Sequence, residues 1–347
     1  MKKLLLLLLT VSAFSLASKA QDTIKTTGDA PLVISGSVDA YYKYDFSGHN
    51  NIPTSFATDQ NSFSIGMVDL ALKKKVGKAS FVGEVSFGPR SDQSIPVATN
   101  HIQNLYVSYD VTSSFNLTMG YMATFIGYEV ISPAGNFNYS TSYLFTNGPF
   151  QNAGAKATFT FSPAASLMVG VFNDQWNVYS TNVANTAPGG PAVLPGRINT
   201  FGAQLMLAPV KGWTAYLNVA TGPASGTIFD VTTAYQITDA FKLGLNGATK
   251  SGNGAANYSG IALYPQIAVD KAVTLGLRGE YFNFKAVGTT PSSSITAATF
   301  TANIKSGPLT FIPEVRLDNG KNAIFTDKNG VATKSASQFL LAAVYAF

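Results

Sequence analysis

The chain has 347 residues, of which 46% are hydrophobic, 12% are charged and none is cysteine. An ordinary soluble domain carries about 25% charged residues, so the composition is atypical of a soluble enzyme, and its apolar content excludes a disordered chain. Disulfides and thiolate metal sites are excluded, and His49 and His101 are too few for a multi-histidine metal centre. The formal net charge of +5 includes three lysines near the N-terminus, and the remaining charges form no basic stripe for nucleic acid.

The first twenty residues have the organisation of a secretory signal peptide. Lys2 and Lys3 precede an apolar stretch that begins with an unbroken run of leucines. Ser18 and Ala20 place small residues before a cleavage site at position 20. The alternative, an N-terminal membrane anchor, requires a longer apolar run. We therefore expect the mature chain to begin at Gln21.

From residue 32 onwards, apolar and polar residues alternate with a period of two, which is typical of strands with one apolar and one polar face. In the first strand, Val38, Ala40 and Tyr42 alternate with Asp39 and Lys43. The same alternation predicts strands at residues 32–46, 62–73, 79–88, 101–111, 115–126, 151–161, 167–174, 198–208, 212–220, 228–237, 241–249, 258–269, 273–284, 295–305, 309–318 and 336–347.

Short connections alternate with longer, polar connections along this series of strands. Long loops at one end and tight turns at the other are typical of outer-membrane barrels, which close because hydrocarbon cannot satisfy an open strand edge. We predict an all-β fold, a transmembrane antiparallel up-and-down β-barrel of about 16 strands (range 12–18) with long extracellular loops and short periplasmic turns. Residues 1–20 form the signal peptide, 21–31 a short periplasmic lead and 32–347 the barrel, which lies in the cell outer membrane.

The last residues of the chain alternate in the same way and finish on an aromatic side chain. Phe339, Leu341, Ala343, Tyr345 and Phe347 occupy one face. This pattern is similar to the C-terminal signal of outer-membrane proteins, which the barrel assembly machinery reads by strand pairing. We expect Tyr345 and Phe347 to form the assembly signal, although an ordinary last strand ending on Phe is the alternative.

Two stretches carry a more specific resemblance. Residues 120–129 read GYMATFIGYE and residues 136–145 read NFNYSTSYLF, and the sequences NSFSI at 61–65 and FGP at 87–89 accompany them. These segments resemble the OmpL-like β-barrel porin family of bacterial outer membranes, which implies a porin fold for the mature chain. The sequence departs from the usual family pattern at Tyr121, Phe125 and Thr141, and the changes at Tyr121 and Thr141 remove basic residues.

The strand face opposite the apolar face should point into the lumen of the barrel. It carries seven acidic and six basic residues, so we expect no steep preference for either sign of ion. The alternative is that these charges pair across neighbouring strands and play a structural part. The candidates for lining the pore are Asp39, Lys43, Asp69, Lys73, Glu84, Lys156, Lys242, Arg278, Glu280, Glu314 and Arg316, and Asp45 and Asp110 complete the set.

Residues 127–150 form the best candidate for a constriction loop. The segment is long, follows the fifth strand and is rich in Asn, Tyr and Phe. If it folds into the lumen, it narrows the pore, and if it does not, it is a surface loop. The candidates within it are Glu129, Asn136, Asn138 and Tyr139.

These observations favour a porin, a water-filled and weakly selective passive diffusion channel for small hydrophilic solutes. The sequence contains no recognisable cluster of a nucleophile and a base, so it does not indicate an enzyme. Residues 21–31 are too short for the plug of a gated transporter. The alternative is a non-transporting surface barrel whose extracellular loops bind a partner. We expect contacts with outer-membrane lipid, the assembly machinery and solutes, and no cofactor, metal or nucleic acid. Solute selectivity, gating and homo-oligomer formation stay open.

Overall fold

The computed structural model describes residues 30–95, 101–173, 198–223, 225–252 and 257–347. Within these residues, sixteen antiparallel strands close into one barrel, in which each strand pairs with its sequence neighbours and the last strand pairs with the first. This topology confirms the predicted up-and-down barrel and its strand number. The signal peptide predicted at 1–20, and the long loop predicted between the seventh and eighth strands, lie outside the described residues.

The barrel strands agree with the predicted alternation along the whole described chain. They are β1 (Val33–Asp45), β2 (Ser62–Val76), β3 (Ala79–Phe87), β4 (Ile102–Thr112), β5 (Phe115–Ala123), β6 (Gln151–Ser162), β7 (Ala165–Asn173), β8 (Ile198–Leu207), β9 (Trp213–Gly222), β10 (Gly226–Gln236), β11 (Phe241–Ser251), β12 (Tyr258–Ala268), β13 (Val273–Phe284), β14 (Ser293–Ser306) and β15 (Leu309–Gly320). Two short strands, β16 (Phe325–Thr326) and β17 (Ala332–Thr333), form a separate hairpin, and β18 (Ser335–Ala346) completes the barrel.

Most connections between strands follow the predicted alternation of tight turns and long loops; the exception is the β9–β10 connection, which at residues 223–225 is shorter than the β8–β9 turn at residues 208–212. At the short-turn end, Gly77 and Gly307 adopt left-handed φ angles of 56° and 61°, which a residue with a Cβ rarely adopts. Three short helical segments belong to connections at the other, long-loop end: Pro89–Ser94, the 3₁₀ turn Pro133–Gly135 and Tyr143–Asn147. Within the described part of the chain, no helix has the length and apolar character needed to cross a membrane.

The outer face of the barrel is apolar, which is the reverse of a soluble protein. Side chains of alternate residues, such as Leu105, Val107 and Tyr109 in β4, are about half exposed. Aromatic residues pair across strands near the short-turn end, where Trp213 packs against Tyr235 with ring centroids 5.5 Å apart. Exposed apolar faces with aromatic residues at their margin are typical of a surface that contacts lipid.

The barrel closes where β18 pairs with β1 from Ser37 opposite Ala346 to Asp45 opposite Gln338. The last residue extends this seam, because the amide and the carbonyl of Phe347 each form a 3.0 Å hydrogen bond with Gly36. No side chain could replace the hydrogen of Gly36, since an added Cβ would meet the carbonyl of Asp69 and the ring of Phe347. The C-terminal residue is therefore part of the closed sheet.

The fifth strand ends three residues earlier than predicted, and most other strand boundaries differ from the predicted ones by one to three residues. The alternation predicts the fifth strand to continue to residue 126, whereas β5 ends at Ala123. The side chains of Phe125 and Ile126 are apolar, as in a strand, but they pack inside the barrel against Phe172 and Ile228. The sequence pattern cannot distinguish apolar residues that pack inside the barrel, such as Phe125 and Ile126, from apolar residues that face lipid, because both kinds avoid water.

Candidate functional site

The chain leaves the barrel wall after β5 and passes through the lumen before it returns as β6. We call residues 124–150 the inserted segment. Its first turn is held by the amide of Gly127, which donates a 3.1 Å hydrogen bond to Asp230 of β10. Its middle lies among the inward side chains of β1, β12–β15 and β18, which we call the filled wall. Tyr139 and Tyr143 of the segment are almost completely buried there.

Arg278 of β13 anchors the middle of the inserted segment. Its guanidinium forms a 2.8 Å ion pair with Glu129, and both side chains are nearly inaccessible to water. The same guanidinium donates to the carbonyl oxygens of Ser140 and Thr141 and to the hydroxyl of Thr299 on β14. Breaking a buried ion pair of this kind typically costs about 3–5 kcal/mol, because an uncompensated charge is left behind.

A second arginine, Arg316 of β15, also holds the segment at Thr141. It pairs with Asp318 at 2.8 Å and donates a 2.8 Å hydrogen bond to the carbonyl of Thr141. Asp318 also accepts a 2.7 Å hydrogen bond from the hydroxyl of Tyr143, whose ring lies 5.2 Å from the Arg316 guanidinium carbon. The arginine, the acid and the tyrosine therefore form one connected polar cluster.

Carboxylates of the filled wall accept hydrogen bonds from the backbone of the segment. The two oxygens of Glu280 accept from the amides of Tyr143 and Leu144, at 2.9 and 2.8 Å, at the start of the helix Tyr143–Asn147. Glu314 accepts from the amide of Tyr139 at 3.1 Å. Orphan amides at a helix start favour a negative charge, so Glu280 is a suitable partner for this position.

The hydroxyl of Tyr139 donates to the carboxylate of Asp39 on β1, which also accepts from the amide of Met67 at 2.9 Å. Burial raises the pKa of the Tyr139 hydroxyl well above its ordinary value, and the nearby Asp39 carboxylate adds to the rise. Burial, followed by the charge of Asp318, raises the pKa of Tyr143 in the same direction. Both hydroxyl groups therefore remain protonated donors throughout the neutral pH range.

Two neighbouring loops complete the packing over the inserted segment. The loop between β1 and β2 buries Ile52 and Phe56, and the hydroxyl of Thr54 accepts a 3.1 Å hydrogen bond from Arg316. From the helix Pro89–Ser94, Arg90 donates a 2.6 Å hydrogen bond to the carbonyl of Ile131. The Arg90 guanidinium carbon also lies 4.3 Å from the centre of the Phe56 ring, within cation–π range.

Glycines on the inward face of the wall make room for aromatic residues of the segment. A Cβ at Gly276 of β13 would overlap the ring of Phe137, and a Cβ at Gly244 of β11 would overlap the hydroxyl end of Tyr128. Tyr128 also stacks on Tyr264 of β12 with ring centroids 4.4 Å apart. The wall and the segment are therefore complementary in shape as well as in charge.

On the opposite side of the lumen, the described residues leave open space. A cavity of about 490 Å³ lies between the start of the inserted segment and the inward faces of β6 and β8–β10, which we call the open wall. Its lining includes Lys156, Gln204, Thr214 and Tyr216. A second cavity, of about 350 Å³, lies towards the short-turn end, and Tyr128 lines both.

Seven of the eleven predicted pore-lining residues are buried and covered. They belong to the filled wall or to the adjoining strand β2, and none is among the described residues that line the two cavities above. Their polar groups contact the inserted segment and the neighbouring loops, and their part in lining a pore stays a prediction. These residues are Asp39, Lys43, Asp69, Arg278, Glu280, Glu314 and Arg316.

The other four candidates remain accessible to water. Lys73 is exposed at the short-turn end, and Glu84 is partly exposed and accepts a 2.6 Å hydrogen bond from Asn104. Lys156 lines the larger cavity and Lys242 lines the smaller one. The accessible candidates are therefore three lysines and one glutamate, a different balance from that of the full set.

The four constriction-loop candidates all lie in the inserted segment, with separate contacts. Glu129 pairs with Arg278, and Tyr139 donates to Asp39. Asn138 donates a 2.6 Å hydrogen bond to the hydroxyl of Thr301 on β14. Asn136 bonds within the segment, where its side chain exchanges hydrogen bonds with the backbone of Val130.

Sequence reasoning missed several residues of this region. Asp318, Asp230 and Lys305 lie on the inward faces of their strands, so the same alternation that gave the other candidates could have identified them. The alternation could not identify Arg90, because Arg90 lies outside the strands, in the short helix Pro89–Ser94 of a loop. Within the described residues, no group of His, Cys, Asp or Glu side chains could hold a metal ion.

A closed sixteen-stranded barrel with an apolar exterior, a polar lumen and an inward-folded loop has the architecture of a β-barrel porin. The sequence matches the family described as "Putative beta-barrel porin-2, OmpL-like" over residues 31–347. The chain belongs to this family, which confirms the resemblance seen at residues 120–129 and 136–145. No curated protein sequence matches it.

Solved porin structures share the fold at low sequence identity. Outer-membrane-expressed OmpT of Vibrio cholerae is 13% identical with a TM-score of 0.56, and the match covers 94% of this chain and 100% of OmpT. An anion-selective porin from Comamonas acidovorans is 12% identical with a TM-score of 0.57, covering 91% and 99%. OmpF of Salmonella typhi, in complex with daunomycin, is 11% identical with a TM-score of 0.57, covering 91% and 97%. These likenesses establish the fold alone.

Proposed function

We propose that the protein is an outer-membrane porin that forms a water-filled, passive diffusion channel for small hydrophilic solutes. The observation that carries this proposal is the one-sided filling of the lumen. The inserted segment covers the filled wall, whereas polar cavities of about 490 and 350 Å³ remain beside it. Barrels of about sixteen strands enclose more space than their own side chains fill, so a loop can narrow the lumen without closing it.

The lining of these cavities suits a hydrated solute. Gln204, Thr214 and Tyr216 of the open wall offer amide and hydroxyl groups to the larger cavity, and Gln266 and Thr310 do so in the smaller one. A larger depression of about 900 Å³ lies on the outside of the barrel, among apolar residues such as Phe81, Val107 and Leu117. That depression faces the lipid side and has no part in the proposed path.

Single-channel recording tests the proposal directly. Purified, folded protein added to a planar bilayer should produce stepwise conductance increments that are linear in voltage. The control is the same protein after heat unfolding, which should produce none. Silent bilayers with protein that still migrates as a folded barrel in unheated gel samples would contradict the proposal. They would favour a non-transporting barrel that acts through its long loops.

We further infer that the chain is exported and inserted by its C-terminal strand. The motivation is the basic and leucine-rich start of the sequence and the pairing of Phe347 with Gly36 in the closing seam. N-terminal sequencing of outer-membrane material should begin at Gln21, and retention of Met1 would contradict cleavage.

Deleting Phe347 should sharply reduce the folded barrel in the outer membrane at unchanged expression. Phe161→Ala is the matched control, because Phe161 is an equally exposed aromatic residue at the short-turn end but lies outside the seam. Equal amounts of folded barrel from the truncated chain and the control would refute a role for Phe347 in assembly.

A further inference from the structure

Only some of the charged side chains that point into the barrel line its open cavities. The inserted segment covers most acids of the filled wall, and Glu280, Glu314 and Asp318 each accept hydrogen bonds from it. These acids contact groups of the protein and not a solute in the channel. The charge seen by a solute therefore depends on the residues that line the two cavities.

Of the described residues that line the larger cavity, Lys156 of β6 is the one with a charged side chain. Among the described residues, its ammonium group has no ion-pair or hydrogen-bond partner within bonding distance. Its neighbours in the cavity supply neutral polar groups, from Thr124, Gln204 and Tyr216. A cation placed beside neutral donors and left without an acid attracts anions from solution.

Lys242 of β11 and Lys305 of β14 line the smaller cavity towards the short-turn end. The one acid in that lining is Glu129, whose carboxylate is bound by Arg278 at 2.8 Å. Neither lysine takes part in an ion pair within the described chain. Because Tyr128 borders both cavities, unpaired lysines lie on either side of it.

The remaining acid on the open wall does not compensate these lysines. Asp230 of β10 is almost completely buried and accepts 2.6 Å hydrogen bonds from Asn218 and Asn246. Its third donor is the amide of Gly127 in the inserted segment. Asp230 therefore serves to fix the start of the segment, and it does not line either cavity.

We propose that the channel prefers small anions and that Lys156 determines this specificity at mid-depth in the barrel, with Lys242 and Lys305 extending the cationic path to the short-turn end. This inference rests on the proposed channel function. It refines the expectation of no steep preference for either sign of ion, which counted buried and accessible charges alike. The ligand class is small hydrated anions, such as chloride and simple carboxylates, attracted by charge rather than by a shaped pocket.

The test is the reversal potential of the channel in a bilayer under a potassium chloride gradient. We expect a chloride-to-potassium permeability ratio of roughly three at about 0.1 M salt, where the Debye length is about 10 Å. The ratio should approach one at about 1 M salt, because a Debye length of about 3 Å screens the lysines. Lys156→Gln should lower the ratio at low salt, and adding Lys242→Gln and Lys305→Gln should remove the preference.

Lys271→Gln is the matched control, because it removes the same charge from an exposed turn at the short-turn end. The control should keep the ratio of the unchanged protein, and each variant should retain the heat-dependent gel shift of a folded barrel. A cation preference in the unchanged protein would overturn the inference, since it would show that the covered acids govern the lumen. An unchanged ratio in Lys156→Gln would refute the role of Lys156. Failure of the channel function itself would appear differently, as the absence of conductance.

Discussion

The two sides of the lumen are built from similar strands, but their inward side chains have different surroundings. On the filled wall, the inward positions of β13 and β15 carry Arg278, Glu280 and Arg316, and all three are buried against the inserted segment. On the open wall, the inward positions of β8 and β9 carry shorter neutral groups such as Gln204 and Thr214, and they border a cavity. The difference shows that a charged residue pointing into a barrel is not by itself a residue that lines a pore.

The filled wall also explains why the segment stays inside the barrel. Its arginines donate to backbone carbonyls of the segment, and its carboxylates accept from backbone amides, so polar groups of a loop without regular structure are satisfied within the lumen. The open wall makes far fewer such bonds, among them the one from Gly127 to Asp230. One barrel can therefore hold a loop against one wall and leave another wall uncovered.

Removing the inserted segment should change the single-channel conductance more than any other variant. Replacing residues 129–147 by a short Gly-Ser linker should merge the two cavities and raise single-channel conductance several-fold, because the loop occupies much of the cross-section. The control replaces the exposed loop at residues 286–291 with Gly and Ser at equal length, and its conductance should match that of the original chain. Equal conductance in both variants would mean that the segment does not narrow the path.

Breaking the main anchor should have the next largest effect. Arg278→Met leaves Glu129 buried without its partner, which should destabilise the seated segment by about 3–5 kcal/mol. We expect a lower unfolding temperature in detergent and noisier open-channel current. The matched control is Lys75→Met, because the Lys75–Asp110 pair is just as short, at 2.6 Å, but partly exposed. Loss of this exposed pair should cost no more than about 1 kcal/mol. Equal effects would refute the distinction between the walls.

A smaller effect is expected from Tyr139→Phe, which removes one hydroxyl from the filled wall. The lost bond to Asp39 joins a hydroxyl to a carboxylate, and such bonds contribute about 1.5–3 kcal/mol when buried. Tyr42→Phe serves as the control, because its 2.7 Å bond to Asn61 is exposed. Denaturant titration of the two variants should show a larger stability loss for Tyr139→Phe, and the opposite order would contradict the account.

Much of the fold could be predicted from sequence because closing a barrel in lipid imposes a strict alternation. That constraint located all sixteen barrel strands and placed Arg278 and Glu314 on inward faces. It could not show which inward residues are covered, because burial depends on contacts between residues such as Asp39 and Tyr139, which are 100 positions apart. The alternation pattern also could not predict the contact between Arg90 and the inserted segment, because Arg90 lies in a loop and not in a strand.

If one wall of the lumen conducts while the other is covered, a thiol reagent should reach the first and not the second, and the absence of cysteine from the chain allows this to be measured. Thr214→Cys places the chain's single thiol on the open wall, and Thr299→Cys places it on the filled wall, where Thr299 is fully buried. A charged methanethiosulfonate reagent added during single-channel recording should reduce the current of Thr214→Cys. It should leave the current of Thr299→Cys unchanged. Block of the Thr299→Cys channel, or an unaffected Thr214→Cys channel, would contradict the claim.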